Sequence, residues 1–425
     1  MEPPRAARRE IFGWAMFDFA NSSYTTVIIT VVYAVIFPKI IVGDGPDYRL
    51  GNLLWSVTLA LAYALVVITA PMLGAIMDYR AAKKTFLFGS YALTIGATAA
   101  LGFVEPGAIP IAMALLVLSN LGFAAGESFI ASFLPDLAPK AKLGRISGLA
   151  WGLGYIGGLG STLIVQLSTG AVERDNYERL RWVGPLTALF FGLAAIPTFL
   201  FLKERGTPQA LPAGQSLLGI GFSQLRATLR DLPKLRDLAI FMLSLFFAMA
   251  GLGIVISFAF IYGDQVVRWK DSTKVAMFVL TNLSAAGGAV LFGLLQDRWG
   301  NLRTYRATLL VWLVAVVGIH QTGAISAATG GALGPEGVYL GVGVLAGLCL
   351  GATQSAGRTV VAVLSPAGRA GEMFGFWGLS GKLAAATGLL LLGWLQTVFG
   401  LQNAILLCAL LFTAAYVVAG RVKEV

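Results

Sequence analysis

The chain has 425 residues, of which 57% are hydrophobic and only 12% are charged. Because soluble domains carry about 25% charged residues, this composition excludes a soluble globular protein. Strand-built barrels alternate polar and apolar residues along each strand, and this chain does not, so a barrel is excluded as well. Since a spanning helix needs about 20 apolar residues, the length accommodates twelve such helices with their loops. We therefore predict an all-α, multi-pass membrane protein.

Apolar runs of spanning length recur along the whole chain. The longest connection between them, residues 203–237, contains several prolines among basic residues and predicts a surface helix near 216–231. We expect an N-terminal bundle over 1–202, a cytoplasmic linker over 203–237 and a C-terminal bundle over 238–425. The predicted spanning helices cover about residues 11–41, 53–77, 85–104, 109–134, 146–170, 182–202, 238–262, 274–296, 304–322, 338–364, 373–398 and 401–420.

The positive charge of the chain lies mostly in alternate loops. Lys and Arg number 31 against 21 Asp and Glu, which gives a formal charge of +10. The loops on the side of the two termini hold 21 of the cations, and the opposite loops hold seven. Because positive loops face the cytoplasm, we expect both termini there and no nucleic-acid partner. Cys349 and Cys408 lie in apolar runs, so we expect no disulfide, metal or other cofactor.

One short motif occurs at equivalent places in the two predicted bundles. Gly-x-x-x-Asp followed by cations ends the second predicted helix and recurs 219 positions later, at the end of the eighth. Glycine permits close helix approach, and cations hold a loop in the cytoplasm. The duplication resembles the loop signature of the major facilitator superfamily, which implies two pseudo-symmetric six-helix bundles around a central cavity. The alternative is a pair of ordinary positively charged turns. The residues expected to gate transport are Gly74, Asp78, Lys83, Lys84, Gly293, Asp297, Arg298 and Arg303.

Four ionisable residues lie well inside predicted helices: Asp18, Glu127, Arg358 and Lys382. Each costs about 2.5 to 3.5 kcal/mol at a helix centre, so four unpaired charges would cost about 10 to 14 kcal/mol. Asp18 lies about eight residues from the cytoplasmic start of the first helix, and Glu127 and Arg358 each lie eight residues before a proline, Pro135 and Pro366. Lys382 lies about ten residues after Glu372, so at about 1.5 Å of rise per residue all four are roughly 12 to 15 Å into the membrane. We therefore expect them to face a wet cavity or one another. Glu127 and Arg358 stand at matching places in the two bundles, and we expect them to face each other and exchange partners during transport.

Polar side chains share helix faces with these charges. Asp18, Asn21 and Ser22 follow helical spacing along one side of the first helix. The superfamily fold implies that helices 1, 4, 7 and 10 line the cavity. Static interhelical ion pairs are the alternative role for the four charges. The expected substrate-binding residues are Asp18, Asn21, Ser22, Glu127, Tyr155, Gln354, Arg358 and Lys382, with Glu127 and Asp18 also expected to carry protons.

Five further stretches narrow the resemblance. Spread over both halves of the chain, they are Phe17 to Tyr24, Phe133 to Ala138, Gly154 to Gly158, Gln354 to Arg358 and Phe374 to Lys382. They look like the corresponding signatures of the autophagy-related vacuolar amino-acid effluxer family and its bacterial relatives. That resemblance implies transport of a small molecule, with neutral amino acids as the first candidates, and a bacterial inner-membrane location.

Three hypotheses about function follow. The first is a proton-coupled secondary transporter of a small zwitterion or amphiphile. Arg358 or Lys382 would bind its carboxylate, and Glu127 or Asp18 its ammonium. The second is a transporter of lipids or lipid-like molecules, for which the aromatic stretch Phe258 to Tyr262 would matter. The third is a non-transporting sensor or assembly factor. The sequence contains no phosphate-cradling loop, so we expect neither an enzyme nor an ATP-driven pump. We expect a monomer in the lipid bilayer whose partners are the small-molecule substrate and protons.

Overall fold

Helices account for the regular structure of this chain. The computed structural model describes residues 6–43, 48–209, 216–330 and 332–423. Within these ranges, 11 helices are long and apolar enough to cross a membrane, and a further apolar helix, Leu406–Ala419, is shorter. The predicted all-α membrane fold is confirmed.

We number the spans α1 to α12 in chain order, and each overlaps one of the runs predicted from the sequence. They are α1 Arg8–Val42, α2 Arg49–Arg80, α3 Lys83–Phe103, α4 Ile109–Leu137, α5 Lys140–Thr169, α6 Arg174–Phe201, α7 Pro233–Val267, α8 Asp271–Trp299, α9 Asn301–His320, α10 Pro335–Leu364, α11 Ala370–Ala404 and α12 Leu406–Ala419.

The break in the helix after residue 398 falls where the sequence predicted it. The sequence predicted that one helix ends near residue 398 and the next begins near 401. In the structure the helical stretch Ala370–Ala404 is interrupted at Gly400, whose φ of 74° and ψ of 158° are not helical, so one helix ends before this residue and another begins after it. Glycine adopts a positive φ without the steric cost that a Cβ atom brings. The apolar pattern therefore placed the end of one helix and the beginning of the next correctly at this glycine.

The first span is not the uniform α-helix that the apolar pattern suggests. It is α-helical over Arg8–Ser23, becomes a π-helix over Tyr24–Val31, and ends in a second π-helix over Phe37–Val42. A run of β-branched residues fills the first π-helix, and Pro38 lies in the second. Crowded side chains and a missing backbone N–H both disfavour regular α-helical hydrogen bonding. Wide turns of this kind are often found at functional sites.

Packing divides the chain into two compact units. The first comprises Met1–Ala138, Leu153–Ala227 and Pro366–Leu379. The second comprises Pro139–Gly152, Thr228–Ser365 and Ser380–Val425. The beginning of α5 therefore belongs to the second unit, and the beginning of α11 belongs to the first. The division predicted from the sequence, with bundles over 1–202 and 238–425 joined by a linker over 203–237, stays a prediction.

Glycines let α5 pack closely in both units. In the first unit, a Cβ atom on Gly154 would lie 2.9 Å from the Oγ atom of Ser22 on α1. In the second unit, a Cβ atom on Gly148 would lie 3.0 Å from the Cα atom of Gly293 on α8. Small residues at such contacts compensate for the weak hydrophobic drive between helices in lipid.

The predicted surface helix between α6 and α7 is present over Leu217–Arg230, and we call it the linker helix. Its backbone lies directly on α2 in the first unit. A Cβ atom on Gly221 would lie 2.8 Å from the Cγ atom of Met72 and 3.1 Å from the Cγ1 atom of Ile76. The contact fixes which face of the linker helix points inward.

Candidate functional site

Arg358 is held by the beginning of α5 within the second unit. Its Nε atom donates a hydrogen bond to the Oγ atom of Ser147 at 3.1 Å, and its Nη2 atom donates to the Ser147 carbonyl oxygen at 3.0 Å. The Ser147 hydroxyl donates in turn to the carbonyl oxygen of Ser355 at 3.0 Å. The guanidinium also lies over the ring of Trp151, 5.3 Å from its centroid. One cation on α10 thus makes three kinds of contact with α5.

Burial makes these contacts energetically important. Arg358 is only 2% exposed, and an ionised side chain in a low-dielectric region is costly unless polar partners surround it. A hydrogen bond to a charged group contributes about 1.5 to 3 kcal/mol, and an aromatic face adds about 0.5 to 2 kcal/mol. Ser147 and Trp151 therefore offset part of the cost of keeping a guanidinium inside the membrane-spanning region.

Two other predicted residues belong to the same unit. Gln354 lies one helical turn before Arg358 on α10, and Lys382 lies on α11. Both are half-buried, and their predicted role in lining a cavity stays a prediction. The second unit thus contains both of the cations that the sequence singled out.

The first unit contains the predicted residues of α1, α4 and the later part of α5. Asn21 is buried, whereas Asp18, Ser22, Glu127 and Tyr155 are half-buried. The contact between Gly154 and Ser22 brings α1 against α5 beside Tyr155. The structure therefore groups Asp18, Ser22 and Tyr155 in one region, and the expected pairing of Glu127 with Arg358 stays a prediction.

Two buried side-chain amide atoms in the first unit lack hydrogen-bond partners among the described residues. They are the Oδ1 atom of Asn21 on α1 and the Nδ2 atom of Asn120 on α4. A hydrogen bond of 2.7 Å between the hydroxyl groups of Tyr24 and Ser119 joins the same two helices. Tyr24 lies three residues after Asn21, and Ser119 lies one residue before Asn120. Buried polar groups are nearly always satisfied, so such atoms need an explanation such as water or a bound solute.

The first copy of the repeated motif contacts the beginning of α11. The Asp78 carboxylate accepts hydrogen bonds from the backbone N–H groups of Gly371 at 3.0 Å and Glu372 at 2.9 Å. These N–H groups belong to the first turn of α11, which has no intrahelical acceptors for them. A carboxylate there also interacts favourably with the helix dipole. Gly74 allows the approach, because a Cβ atom on it would lie 2.6 Å from the carbonyl carbon of Gly371.

The second copy makes the same kind of contact with the beginning of α5. The Oδ1 atom of Asp297 accepts a hydrogen bond from the backbone N–H of Arg145 at 3.3 Å, and the Nε atom of Arg145 lies 3.5 Å from the other carboxylate oxygen. A Cβ atom on Gly293 would lie 2.7 Å from the carbonyl oxygen of Gly144. In both copies the glycine allows the close approach of a helix N-terminus, and the aspartate accepts a hydrogen bond from a backbone N–H group of that helix.

The cations of the motif have separate contacts. Lys83 is buried and pairs with Asp136 at 2.8 Å, while it also donates to the carbonyl oxygen of Ser132 at 3.0 Å. The Nζ atom of Lys84 donates to the carbonyl oxygen of Leu202 at 2.9 Å. Arg298 and Arg303 are exposed. Lys83 and Lys84 therefore brace the end of α4 and the end of α6 within the first unit.

Comparison with known proteins assigns the family. The sequence matches the family described as "Vacuole effluxer Atg22 like" over residues 54–424. The chain belongs to the vacuole effluxer Atg22-like family. This Atg22-like protein is 25% identical over 420 residues to the uncharacterized MFS-type transporter YxiO of Bacillus subtilis (strain 168), an alignment that covers 97% of this chain and 94% of YxiO. It is 24% identical over 307 residues to autophagy-related protein 22 of Yarrowia lipolytica (strain CLIB 122 / E 150), covering 66% of this chain and 50% of that relative.

Solved structures show the fold of this Atg22-like protein. The proton:xylose symporter XylE superposes with a TM-score of 0.75 at 14% identity, over 98% of this chain and 96% of that one. A bacterial homologue of the iron transporter ferroportin superposes with a TM-score of 0.72 at 15% identity, over 97% and 98% of the two chains. Both similarities concern the fold alone. The protein is a transporter of the major facilitator superfamily (MFS), a family that is normally non-enzymatic.

The sequence did not single out Ser147, Trp151 or Asp78's partners on α11 as site residues of this Atg22-like transporter. A weak signal existed for the first two, because they lie four residues apart and so share a face of a glycine-rich helix. For the amides of Gly371 and Glu372 the signal is weaker still, since every helix begins with such groups.

Proposed function

We propose that this Atg22-like transporter moves a small zwitterionic solute, such as a neutral amino acid, by alternating access coupled to protons. The observation that supports this proposal best is the buried Arg358 guanidinium, held by Ser147 and Trp151 in the second unit. Guanidinium is planar and forked, and it binds carboxylates in a bidentate manner. In the proposed cycle a solute carboxylate takes over hydrogen bonds that Ser147 accepts in this structure.

The first unit has polar groups of its own that suit a zwitterion. The Asn21 Oδ1 atom is an acceptor that suits an ammonium group, and the Asn120 Nδ2 atom is a donor. Both atoms are buried without a partner among the described residues, so a polar solute would satisfy them at little cost in lost contacts. Asp18 and Glu127 supply negative charge in the same unit.

Proton coupling is assigned to a carboxylate. Glu127 is half-buried in the middle of α4, within the membrane-spanning part of the first unit. A carboxylate in such a place is a common proton carrier, because neutralisation removes the cost of keeping its charge out of water. Asp18 is the second candidate.

The repeated motif is proposed to gate the cycle. Asp78 of α2 accepts a hydrogen bond at the N-terminus of α11, and Asp297 of α8 accepts one at the beginning of α5. Each aspartate stabilises the helix beginning that its own helix approaches closely. Breaking such contacts costs free energy, and binding of the solute must offset that cost for the transporter to change state. The proposal therefore assigns Gly74, Asp78, Gly293 and Asp297 to gating rather than to solute binding.

Two other functions remain as outcomes of the test. A lipid substrate would involve the aromatic stretch of α7, where Tyr262 is buried and donates a hydrogen bond to the carbonyl oxygen of Ile319 at 3.0 Å. That contact favours a packing role for Tyr262. A sensor would bind a solute without moving it.

Counterflow in proteoliposomes distinguishes the three functions. Vesicles containing the purified protein are loaded with one unlabelled neutral amino acid at a time, and uptake of a trace of the labelled compound is followed. Transient accumulation above protein-free vesicles supports the proposal. Movement of a fluorescent phospholipid between leaflets without amino-acid counterflow would indicate the lipid transporter. A thermal shift with amino acids but without any flux would indicate the sensor.

A further inference from the structure

The linker helix has one exposed face that combines an aromatic side chain with cations. Phe222 is 62% exposed, and Arg226 and Arg230 are exposed one and two turns further along. Residues four apart lie on the same side of an α-helix, so these three form one stripe. The opposite side contains Ile220 and Gly221, which are buried.

The stripe lies close to the expected membrane surface. Arg230 is three residues before Pro233, where the α7 span begins. Three residues of chain reach at most about 10 Å, which is about one Debye length at physiological ionic strength. Lys234 and Arg236 follow within the next turns and are exposed as well. The side of the membrane is the one on which the positive loops predict the cytoplasm.

The inward side of the same helix covers a cavity beside the Asp78 contact. In the first unit a space of about 250 Å³ is lined by Gln224 of the linker helix together with Asp78, Arg369 and Glu372. Glu372 is buried, and it pairs with Arg369 at 2.9 Å. The linker helix therefore forms one wall of the cavity that contains Asp78, the residue of the motif that contacts the beginning of α11.

We propose that the exposed stripe of the linker helix, Phe222, Arg226 and Arg230, binds anionic phospholipid headgroups of the cytoplasmic leaflet. The aromatic ring enters the boundary between headgroups and acyl chains, and the guanidinium groups bind phosphates above it. This arrangement is typical of helices that lie in the membrane interface with a basic polar face. Lipid binding holds the helix down on Met72 and Ile76 of α2 and so keeps the Asp78 cavity covered.

Lipid competition at a labelled linker helix tests this proposal. Cys349 and Cys408 are buried, so a fluorophore attached to a Ser223→Cys variant reports on the exposed side of the helix. In nanodiscs, quenching by brominated phosphatidylglycerol and by brominated phosphatidylcholine gives the relative binding constant of the anionic lipid. We expect preference for phosphatidylglycerol. Each of Arg226→Gln and Arg230→Gln should lower that preference about five-fold, since one cation near an anionic surface contributes about one kcal/mol.

Two controls make the result specific. The double variant Arg8→Gln with Arg9→Gln removes two exposed cations at the beginning of α1 and should leave the preference at the label unchanged. Raising the salt to about 1 M, where the Debye length is about 3 Å, should abolish the preference without any substitution, which covers the case of a variant that misfolds. Equal quenching by the two lipids in the parent protein overturns the proposal. So does a phosphatidylglycerol preference that survives loss of both linker arginines or the high salt.

Discussion

The Nη2 atom of Arg358 donates a hydrogen bond to the backbone carbonyl oxygen of Ser147 at 3.0 Å, which joins α10 to the beginning of α5 in the second unit. A buried guanidinium that donates to a backbone carbonyl and to a hydroxyl is firmly placed, yet it can exchange these two acceptors for a carboxylate of similar geometry. The proposed transport cycle uses that exchange.

Replacing Ser147 with Ala removes the hydroxyl that accepts from Arg358 and leaves the carbonyl in place. Because the lost hydrogen bond involves a charged donor, we expect the free energy of unfolding to fall by about 1.5 to 3 kcal/mol. Denaturation of the purified protein measures this change. Ser168→Ala is the matched control, since Ser168 is exposed and its hydroxyl donates within its own helix, to the carbonyl oxygen of Ile164 at 2.8 Å. Equal stability of the two variants would contradict the role given to Ser147.

Replacing Asp78 with Asn removes a negative charge from the beginning of α11 but keeps the size of the side chain. We expect a loss of stability of about 0.5 to 2 kcal/mol, because the helix dipole favours an anion there. Asp297→Asn should act in the same direction at the beginning of α5. Thermal denaturation of both variants is the measurement, and unchanged midpoints for both would show that these contacts do not stabilise the structure.

A methyl group at Gly74 tests the close approach of α2 and α11. In Gly74→Ala the new Cβ atom would lie 2.6 Å from the Gly371 carbonyl carbon, so backbone must shift. We expect destabilisation of about 1 to 3 kcal/mol. Gly89→Ala is the control, because nothing lies within 4 Å of a Cβ atom there, and helix propensity should make that change neutral or stabilising by up to about 1 kcal/mol. Similar losses in both variants would argue against a specific contact at Gly74.

Replacing Glu127 with Gln keeps the hydrogen-bonding shape but removes the ability to bind and release a proton. We expect counterflow, which needs no gradient, to continue. Accumulation driven by an imposed pH gradient should be lost. Flux in vesicles with and without the gradient measures both properties. If the variant still accumulates solute in response to the gradient, coupling lies elsewhere, with Asp18 next to be examined in the same way.

The sequence was sufficient for the spans, for the duplicated motif and for the buried charge of Arg358. Apolar runs and the spacing of Gly74 with Asp78 and Gly293 with Asp297 are local properties, so a single chain displays them. Arg358 was recognisable because a charge in an apolar run is costly wherever its partners lie.

The partners of those residues were not predictable in the same way. Ser147 lies 211 positions before Arg358, and nothing in either local pattern indicates that the two side chains meet. Asp78 contacts backbone N–H groups of α11, which have no residue-type signature. The π-helical turns of α1 depend on how crowded side chains settle in the folded bundle, whereas the apolar pattern predicts only that a helix crosses the membrane.

The central claim is that Arg358 binds the carboxylate of a transported zwitterion. Its most direct test is counterflow of the best-transported amino acid and of the amine left after removal of its carboxylate, in vesicles with the parent protein, Arg358→Lys and Arg358→Gln. We expect the parent to transport the amino acid and not the amine. The Gln variant should transport neither, and the Lys variant should bind the amino acid about tenfold more weakly, because it retains the charge but loses the fork that makes two hydrogen bonds. Amino-acid counterflow that persists undiminished in Arg358→Gln, or an amine transported as well as its amino acid, would contradict the account.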